Sequence, residues 1–447
     1  MEPSPEIHAP SILRIMRGKR FSGLFTTQFL TSFNDNFFKN AIIALINFGH
    51  ISKTISDEQR AVWIIIAGLS FIIPYFLFSA TAGKLAEKYD RITIVHIIKF
   101  FEVAILTLGG IGFILQSVTL MLSMLFLMGV HSTFFSPIKF GILPTYLHKN
   151  ELVGGNALIE TATFMAIILG TIFGTQIILM QPYGEYISLI IMIIFSLLGL
   201  WTSYKMPRIR KTLPDMEMGW NMFKHNLEVF RIMKNSPKVL KYILAGGWFW
   251  FVSAVMMTIL PLYITDVIAM NKDVYTVMLV IFSVGVGLGS VLCARLLDGN
   301  ISARYTPVAA IVMGLFALDI GYVSMPLHDG EGLGTLYGFL QNPISWRIML
   351  DFTIIAAAGG MYVVPFFALV QNDTVPHEKS RMIAGNNIIN ALAMVSGGLY
   401  MLGTTKIGID INIIFLATGA LCFLGALIVH LVIEDSVIRR KRKIHKF

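Results

Sequence analysis

Twelve long apolar segments constrain this chain more than any other feature of its sequence. They lie at 21–48, 61–82, 93–115, 118–140, 157–180, 186–205, 241–264, 274–297, 303–325, 347–370, 385–405 and 411–433. An α-helix needs about 20 residues to cross the hydrocarbon core of a bilayer. Charged residues make up 14% of the chain, against about 25% in soluble domains. The sequence therefore predicts an all-α polytopic membrane protein, because the strands of a β-barrel would alternate polar and apolar residues.

The composition also argues against several other classes of protein. Cys293 and Cys422 lie inside apolar segments, which predicts no structural disulfide. The sequence shows no cluster of metal ligands, phosphate-binding loop or nucleophile motif, so we expect no metal, no cofactor and no enzymatic activity. His430 and Asp435 have the His-x4-Asp spacing of glycerolipid acyltransferases, and an alternative reading as a lipid-modifying enzyme depends on this pair. We expect the match to be coincidental, because no accompanying domain is present.

The basic residues predict the orientation in the membrane. If the N-terminus is cytoplasmic, 28 of the 35 Lys and Arg residues fall on the cytoplasmic side and 5 on the outside. Such an imbalance follows the positive-inside rule. We therefore expect both termini in the cytoplasm. The net charge of +9 then needs no nucleic-acid partner.

The segments form two groups of six, which suggests a duplicated unit. Asn156 follows a glycine at the start of the fifth segment, and Asn386 does so 230 residues later. Pro137 and Pro365 are 228 residues apart. We expect two pseudo-symmetric six-helix bundles, as in alternating-access transporters. The predicted division is 1–20 (N-terminal segment), 21–205 (first bundle), 206–240 (linker), 241–434 (second bundle) and 435–447 (basic tail).

The linker carries an amphipathic pattern. Trp220, Phe223, Leu227 and Phe230 recur at helical spacing among basic residues. This pattern predicts a helix on the inner leaflet that tethers the two bundles. A helix that docks a partner protein is the alternative.

The first apolar segment has a polar centre. Asn34, Asp35, Asn36 and Lys39 lie there. A charge at the centre of a membrane helix costs about 2.5–3.5 kcal/mol on insertion scales. Asp35 and Lys39 are four residues apart and can pair, so a purely structural ion pair is one interpretation. The flanking asparagines favour a substrate-binding site that faces a central cavity.

Other polar residues inside the apolar segments extend this candidate site. On the third segment, His96, Lys99 and Glu102 share one face near the cytoplasmic end, and we expect them to snorkel and pair. The further candidates for substrate binding are His131, Lys139, Asn156, Glu160, Asn387 and Asn390. For His131, a hydrogen-bonded packing role is an equal alternative.

Two pairs of glycines predict close approach of helices. Gly170 and Gly174 are four residues apart in the fifth segment, and Gly285 and Gly289 are four apart in the eighth. Small residues at this spacing let helix backbones pack closely. We expect these positions to contribute to packing and conformational change.

The loop between the second and third segments resembles the conserved loop of the major facilitator superfamily. The pattern of the superfamily loop is G-x-L-A-D-R-x-G-R-(R/K). Gly83, Glu87, Lys88 and Arg91 stand at its glycine, acidic and basic positions, whereas Asp90 replaces the second glycine and Ile92 the last base. The resemblance implies a gating role for these four residues on the cytoplasmic side. It also implies that Glu87 meets the N-terminus of the eleventh helix.

A narrower resemblance covers most of the chain. The runs 28–36, 135–144, 359–365 and 384–386, together with Asn156, Glu160 and Gly170, are similar to the lysophospholipid transporter family and to the transporter half of fused lysophospholipid transporter–acyltransferases. The resemblance implies inward movement of lysophospholipids, chiefly lysophosphatidylethanolamine, across the bacterial inner membrane for re-acylation. A monomer, surrounding membrane lipids and a separate acyltransferase are the expected state and partners. The alternative is a transporter of another amphiphile or metabolite, such as a siderophore or drug, driven by protons through Asp35 or Glu160.

The substrate implied by this resemblance suggests roles for four of the charged residues. A zwitterionic headgroup needs an acid for its ammonium group and a base for its phosphate. Asp35 and Glu160 are the candidate acids. Lys39 and Lys139 are the candidate bases.

Overall fold

The computed structural model describes residues 12–48, 57–208, 221–324, 326–327 and 333–444. After the short helix α1 (Ile12–Arg17), the first half contains α2 (Ser22–Phe48), α3 (Asp57–Lys88), α4 (Arg91–Ile114), α5 (Val118–Tyr146), α6 (Leu152–Ile178) and α7 (Gly184–Ser203). The linker contains α8 (Met222–Asn235). The second half contains α9 (Pro237–Leu262), α10 (Lys272–Leu297), α11 (Thr306–Val323), the short α12 (Leu336–Gln341), α13 (Pro343–Asp373), α14 (Lys379–Ile407) and α15 (Ile411–Ile444).

Each of the twelve predicted segments forms one long helix. Within the described residues, eleven helices are long and apolar enough to cross a membrane. The remaining long helix, α2, has 27 residues, and its polar centre lowers its mean hydropathy. The prediction of twelve membrane-spanning helices is confirmed.

Several helices extend beyond the apolar segments that predicted them. The apolar segment 61–82 lies within α3, which runs from Asp57 to Lys88. Helix α13 similarly runs from Pro343 to Asp373 around the segment 347–370. An apolar segment marks the part of a helix that lies in hydrocarbon, whereas the backbone hydrogen bonds continue into the interfacial region.

The helices pack as two bundles joined along a seam. Helices α2–α7 form the N-terminal bundle, and α9–α11 with α13–α15 form the C-terminal bundle. The bundles meet where α6 packs on α10 and α3 packs on α14, and α8 lies against both α3 and α14. The side of the molecule on which α8 lies is called the linker side below, and the opposite side is called the far side.

The paired glycines bring helices of the same bundle together. An added Cβ at Gly170 would lie 2.5 Å from the Phe33 carbonyl oxygen, and at Gly174 2.4 Å from that of Phe37. These two positions therefore allow α6 to pack on α2. The second pair, Gly285 and Gly289, packs α10 on α13 in the same way, with Ala356 and Ala357 as the neighbours. The packing role is visible in these contacts, and the conformational role stays a prediction.

Gly289 provides a stability test. Its added Cβ would lie 1.8 Å from the Ala357 carbonyl oxygen, whereas nothing lies within 4 Å of a Cβ at Gly398 in α14. We expect Gly289→Ala to destabilise the protein by at least about 1–3 kcal/mol, because the α10 and α13 backbones would have to separate. Gly398→Ala is the matched control and should be neutral or stabilising by up to about 1 kcal/mol. Thermal unfolding of both purified variants in detergent measures this, and equal unfolding temperatures would contradict the packing account.

Candidate functional site

Asp35 lies near the middle of α2 and has one free carboxylate oxygen. Its exposed fraction is 8%. Oδ2 accepts a hydrogen bond from Ser132 Oγ on α5 at 2.7 Å. Oδ1 is buried and has no hydrogen-bond partner among the described residues. A buried carboxylate oxygen without a donor is costly unless a ligand or water completes it.

The predicted pair between Asp35 and Lys39 is replaced by other partners. Lys39 Nζ donates to Asn36 Oδ1 at 3.3 Å and lies 5.8 Å from the Phe71 ring centroid. Asn36 also donates to the Ser32 carbonyl in its own helix. Lys39 still interacts electrostatically with Asp35. The polar centre of α2 is therefore not a closed ion pair.

A second pair of charges, Glu160 and Lys139, lies closer to the linker side than Asp35. Glu160 on α6 is buried, and its Oε2 has no hydrogen-bond partner in the described part of the chain. Lys139 on α5 interacts electrostatically with both Glu160 and Asp35. Its Nζ lies 4.9 Å from the Phe140 ring centroid. Two carboxylates with free oxygens thus share one lysine between three helices.

A buried charge cluster inside the N-terminal bundle shows that one prediction was wrong. Lys99 and Glu102 on α4 are fully buried and form a short ion pair, so they pair as predicted but do not snorkel. His131 Nε2 lies 3.2 Å from Glu102 Oε2, and Asn34 Nδ2 donates to Glu102 Oε1 at 3.1 Å. Thr31 accepts from Lys99 Nζ at 2.9 Å.

The cluster includes two of the predicted substrate-binding residues, Asn34 and His131. Both lie beside Glu102 inside the N-terminal bundle. Asn34 Oδ1 and His131 Nδ1 are buried without a hydrogen-bond partner among the described residues, so a role of either residue in substrate binding stays a prediction. The cluster fixes α2, α4 and α5 relative to one another, and Ser132, next to His131, extends it to Asp35.

The C-terminal bundle contributes amides rather than charges. Asn387 on α14 donates to Ser136 Oγ on α5 at 2.9 Å. With its amide oriented to suit its neighbours, Asn390 accepts from Trp250 Nε1 and from Asn386 Nδ2, each at 3.1 Å. Asn387 therefore bonds across the seam, whereas Asn390 bonds within its own bundle.

Asn156 belongs to a contact that closes the linker side. It exchanges two hydrogen bonds with Gln371 on α13, at 2.8 and 3.0 Å. Phe140 on α5 stacks on Phe367 of α13, with centroids 4.7 Å apart and planes 5° from parallel. Both contacts join the two bundles. In this state Asn156 is held in the seam and is not available to a substrate.

The last turns of α3 provide a further connection between the bundles. Glu87 accepts from the backbone N–H of Arg381, the third residue of α14, at 3.1 Å and from its Nε at 2.6 Å. An added Cβ at Gly83 would lie 2.8 Å from the Ala384 side chain. The contact that the resemblance implied for Glu87 is therefore present, and it includes a guanidinium as well as the helix terminus.

The basic residues at the junction of α3 and α4, Lys88 and Arg91, contact groups within the N-terminal bundle. Arg91 donates to the carbonyl oxygens of Ala86 and Gly141, at 3.0 and 2.9 Å. Lys88 lies 5.6 Å from the ring centroid of Tyr89. Asp90, which replaces the glycine of the superfamily pattern, caps α4 by accepting from the Thr93 N–H. The departure from the pattern thus has a local structural role.

A family model for the Major Facilitator Superfamily matches residues 24–398. The chain belongs to this superfamily. The match spans both bundles, from the start of α2 to the middle of α14. The predicted membership is confirmed.

Individual proteins are similar over nearly the whole chain. The lysophospholipid transporter LplT of Photorhabdus laumondii is 22% identical over 427 residues, which cover 92% of this chain and 94% of that protein. Among solved structures, the human organic anion transporter MFSD10 aligns with a TM-score of 0.75 at 13% identity, covering 94% of this chain and 99% of the other. The transporter FucP in its outward conformation aligns with a TM-score of 0.70 at 13% identity, covering 92% and 98%. These two structures show the major facilitator fold.

Sequence reasoning missed four polar residues that meet the candidates. Ser132 and Tyr75 interact with Asp35, Gln371 pairs with Asn156, and Trp250 binds Asn390. None stands out in the sequence, because these side chains carry no charge that would mark them as costly inside the membrane. Arg381 carried a usable signal as a basic residue at the start of the eleventh helix.

Proposed function

We propose that this chain is an alternating-access transporter that moves lysophospholipids of the phosphatidylethanolamine type across the bacterial inner membrane for re-acylation. The observation that carries the proposal is the pair of buried carboxylates, Asp35 and Glu160, each with an oxygen that no described residue binds. Lys139 lies within electrostatic range of both. An ammonium group fits the carboxylates, and a phosphate fits the lysine.

The similarity to lysophospholipid transporters supports this substrate. Such a lipid carries one ammonium, one phosphate and one acyl chain, so its headgroup complements the charges at the site. Lys39 is a second candidate for the phosphate, since its bond to Asn36 is long at 3.3 Å. Asn387 and Asn390 complete the proposed site from the C-terminal bundle.

The contacts between the bundles suggest how the site alternates. The pairs Glu87–Arg381, Asn156–Gln371 and Phe140–Phe367 all close the linker side. We propose that this state receives substrate from the far side, and that a bound headgroup allows the pairs to separate. The positive-inside imbalance supports a cytoplasmic location of the linker side and of both termini.

The remaining assignments are part of the same proposal. The domain division predicted from the sequence, a monomeric state and a separate re-acylating acyltransferase complete it. The protein itself is proposed to transport without enzymatic chemistry. His430 lies in α15, and the side chains of Asp435 and of the basic tail lie outside those described.

Ligand-dependent stabilisation of the purified protein tests the substrate. A ligand that binds the folded state raises the unfolding temperature with concentration. We expect lysophosphatidylethanolamine to give the largest shift, lysophosphatidic acid, which lacks the ammonium group, a smaller one, and glycerophosphoethanolamine, which lacks the acyl chain, none. A shift produced by siderophores or drugs but by none of these lipids would favour the alternative substrate class.

A further inference from the structure

The linker helix α8 lies over the seam between the bundles. His225, Val229 and Met233, four residues apart, form its buried face. An added Cβ at Gly385 of α14 would lie 2.6 Å from Met233 Sδ and 3.0 Å from a Val229 methyl carbon. The C-terminal half of α8 thus packs directly on α14. The linker is part of the closed state and not a loose tether.

The contacts of α8 with α3 are polar. Glu228 accepts from Lys84 Nζ at 3.0 Å, and His225 Nδ1 hydrogen bonds with Thr81 Oγ1 at 2.9 Å. The contacts with α14 are apolar packing. Apolar surfaces slide over each other more readily than paired polar groups separate, because an unpaired buried polar group costs free energy. We therefore expect α8 to stay with the N-terminal bundle when the linker side opens.

One contact shows how far α8 reaches along α3. Asn226 Nδ2 donates to the Phe76 carbonyl oxygen at 3.2 Å. Phe76 lies six residues inside the linker-side end of the apolar segment 61–82, which is about 9 Å of helix. Half of a hydrocarbon core is about 15 Å. The N-terminal end of α8 therefore lies beside a membrane-crossing part of α3 and not beneath the molecule.

The face of α8 opposite the seam is apolar and exposed. The exposed fractions of Phe223, Leu227 and Phe230 are 75%, 66% and 41%. Their spacing of three and four residues places them on one side of the helix. The basic residues Lys224, Arg231 and Lys234 are also exposed. Apolar residues with basic neighbours are the pattern of a helix that binds an anionic membrane surface.

We propose that α8 is embedded in the linker-side leaflet, where its exposed face binds the acyl chains of anionic phospholipids. The three aromatic and aliphatic side chains contact the chains, and the basic residues bind the headgroups. In this position α8 covers the α3–α14 seam from the lipid side. The lipid contact is independent of the proposed function.

A consequence for release rests on that proposed function. If α8 moves with the N-terminal bundle, opening of the linker side removes Met233 and Val229 from Gly385 and uncovers the seam to lipid. An amphiphile at the central site then has a lateral exit into the leaflet. Its acyl chain need not pass through water, where exposure of each methylene group is unfavourable.

Fluorescence quenching tests the lipid contact without any substrate. Single cysteines replace Phe223, Leu227 or Phe230 in the full chain, where Cys293 and Cys422 are both buried. The labelled protein is placed in phosphatidylglycerol-containing liposomes. Doxyl-labelled lipid quenches from within the membrane, and iodide, present on both sides of the vesicle membrane, quenches from water. At these three positions we expect doxyl lipid to quench the fluorescence at least about twofold more than iodide does. Lys149→Cys, at an exposed linker-side position, is the matched control and should show the reverse order.

Stronger quenching by iodide than by doxyl lipid at all three positions would overturn the proposal, since α8 would then face water.

A disulfide between Val229→Cys and Gly385→Cys tests the uncovering of the seam. We expect its formation to stop transport and reduction to restore it, while Val229→Cys alone is unaffected by oxidation. Full transport with the disulfide formed would remove the lateral exit but leave both the lipid contact and the substrate assignment standing.

Discussion

Replacing Asp35 by asparagine is expected to reduce uptake of labelled lysophosphatidylethanolamine into spheroplasts by at least about 30-fold. Removing one partner of a buried, hydrogen-bonded charge pair costs about 2–5 kcal/mol, and each 1.4 kcal/mol is a factor of ten. The asparagine keeps the side-chain shape and can still accept from Ser132, so the loss is specific to the charge. Uptake is compared at equal amounts of folded protein in the membrane.

Asp266→Asn is the matched control for this experiment. Asp266 is an exposed carboxylate beyond the end of α9, and its neutralisation should leave uptake unchanged. Glu160→Gln should resemble Asp35→Asn, because its free oxygen faces the same lysine. Normal uptake by Asp35→Asn would remove this residue from the site, and an equal loss in Asp266→Asn would point to a general effect of charge.

Neutralising Glu87 is expected to open the linker side. Glu87 is buried and joins two bundles through Arg381, so Glu87→Gln leaves the guanidinium without its charged partner. Loss of one partner of a buried ion pair destabilises the closed state by about 3–5 kcal/mol relative to the open state. This is enough to make the open state the more populated one, even if the closed state of the wild-type protein is favoured a hundredfold. The measurement is the rate at which a cysteine in place of Ser136, buried in the seam beside Asn387, reacts with a membrane-impermeant thiol reagent.

A charge exchange distinguishes this gate from simple unfolding. Glu87→Arg combined with Arg381→Glu keeps one pair of opposite charges across the seam. The double variant should therefore recover part of the protection of the cysteine at position 136 from the thiol reagent. Glu151→Gln is the control, because Glu151 bonds to His148 within its own loop. Unchanged protection of the cysteine at position 136 in Glu87→Gln would show that the other contacts alone hold the linker side closed.

The sequence was sufficient to predict the twelve helices because each apolar segment is long enough to define one crossing by itself. It also drew attention to Asp35, since a carboxylate at mid-span has few structural explanations, and the role of Asp35 in substrate binding stays a proposal. The contact of Glu87 with the start of α14 followed from the superfamily resemblance. These predictions share one property, which is that each depends on local sequence or on a recognised motif.

Contacts between distant segments were beyond the sequence. Lys99 was expected to snorkel because it lies two turns from a helix end, yet it is buried against α7. An added Cβ at Gly199 would lie 2.7 Å from Lys99 Nζ, so the absence of a side chain there makes room for the lysine. The amide pair of Asn156 and Gln371 joins residues 215 positions apart. Such pairs become visible when the helices are placed side by side.

The face that α8 buries could not be predicted either. The sequence pattern identified Phe223, Leu227 and Phe230 as an apolar side, and the structure leaves those side chains exposed. The buried side is built around His225, whose polar ring gave no sign of burial in the sequence. This arrangement depends on the seam between α3 and α14. Thr81 of α3 hydrogen bonds with His225, and Gly385 of α14 leaves room for Val229 and Met233.

Translocation by the purified protein in liposomes tests the central claim most directly. Lysophosphatidylethanolamine with a fluorophore on its acyl chain is added to preformed vesicles, and dithionite bleaches the molecules left in the outer leaflet. We expect the wild-type protein to protect a fraction of the fluorescent lipid from dithionite that increases with time, because that lipid has reached the inner leaflet. Unlabelled lysophosphatidylethanolamine should slow this increase by competing for the site. Protection no faster than in protein-free vesicles, with the reconstituted protein shown to be folded, would contradict the account.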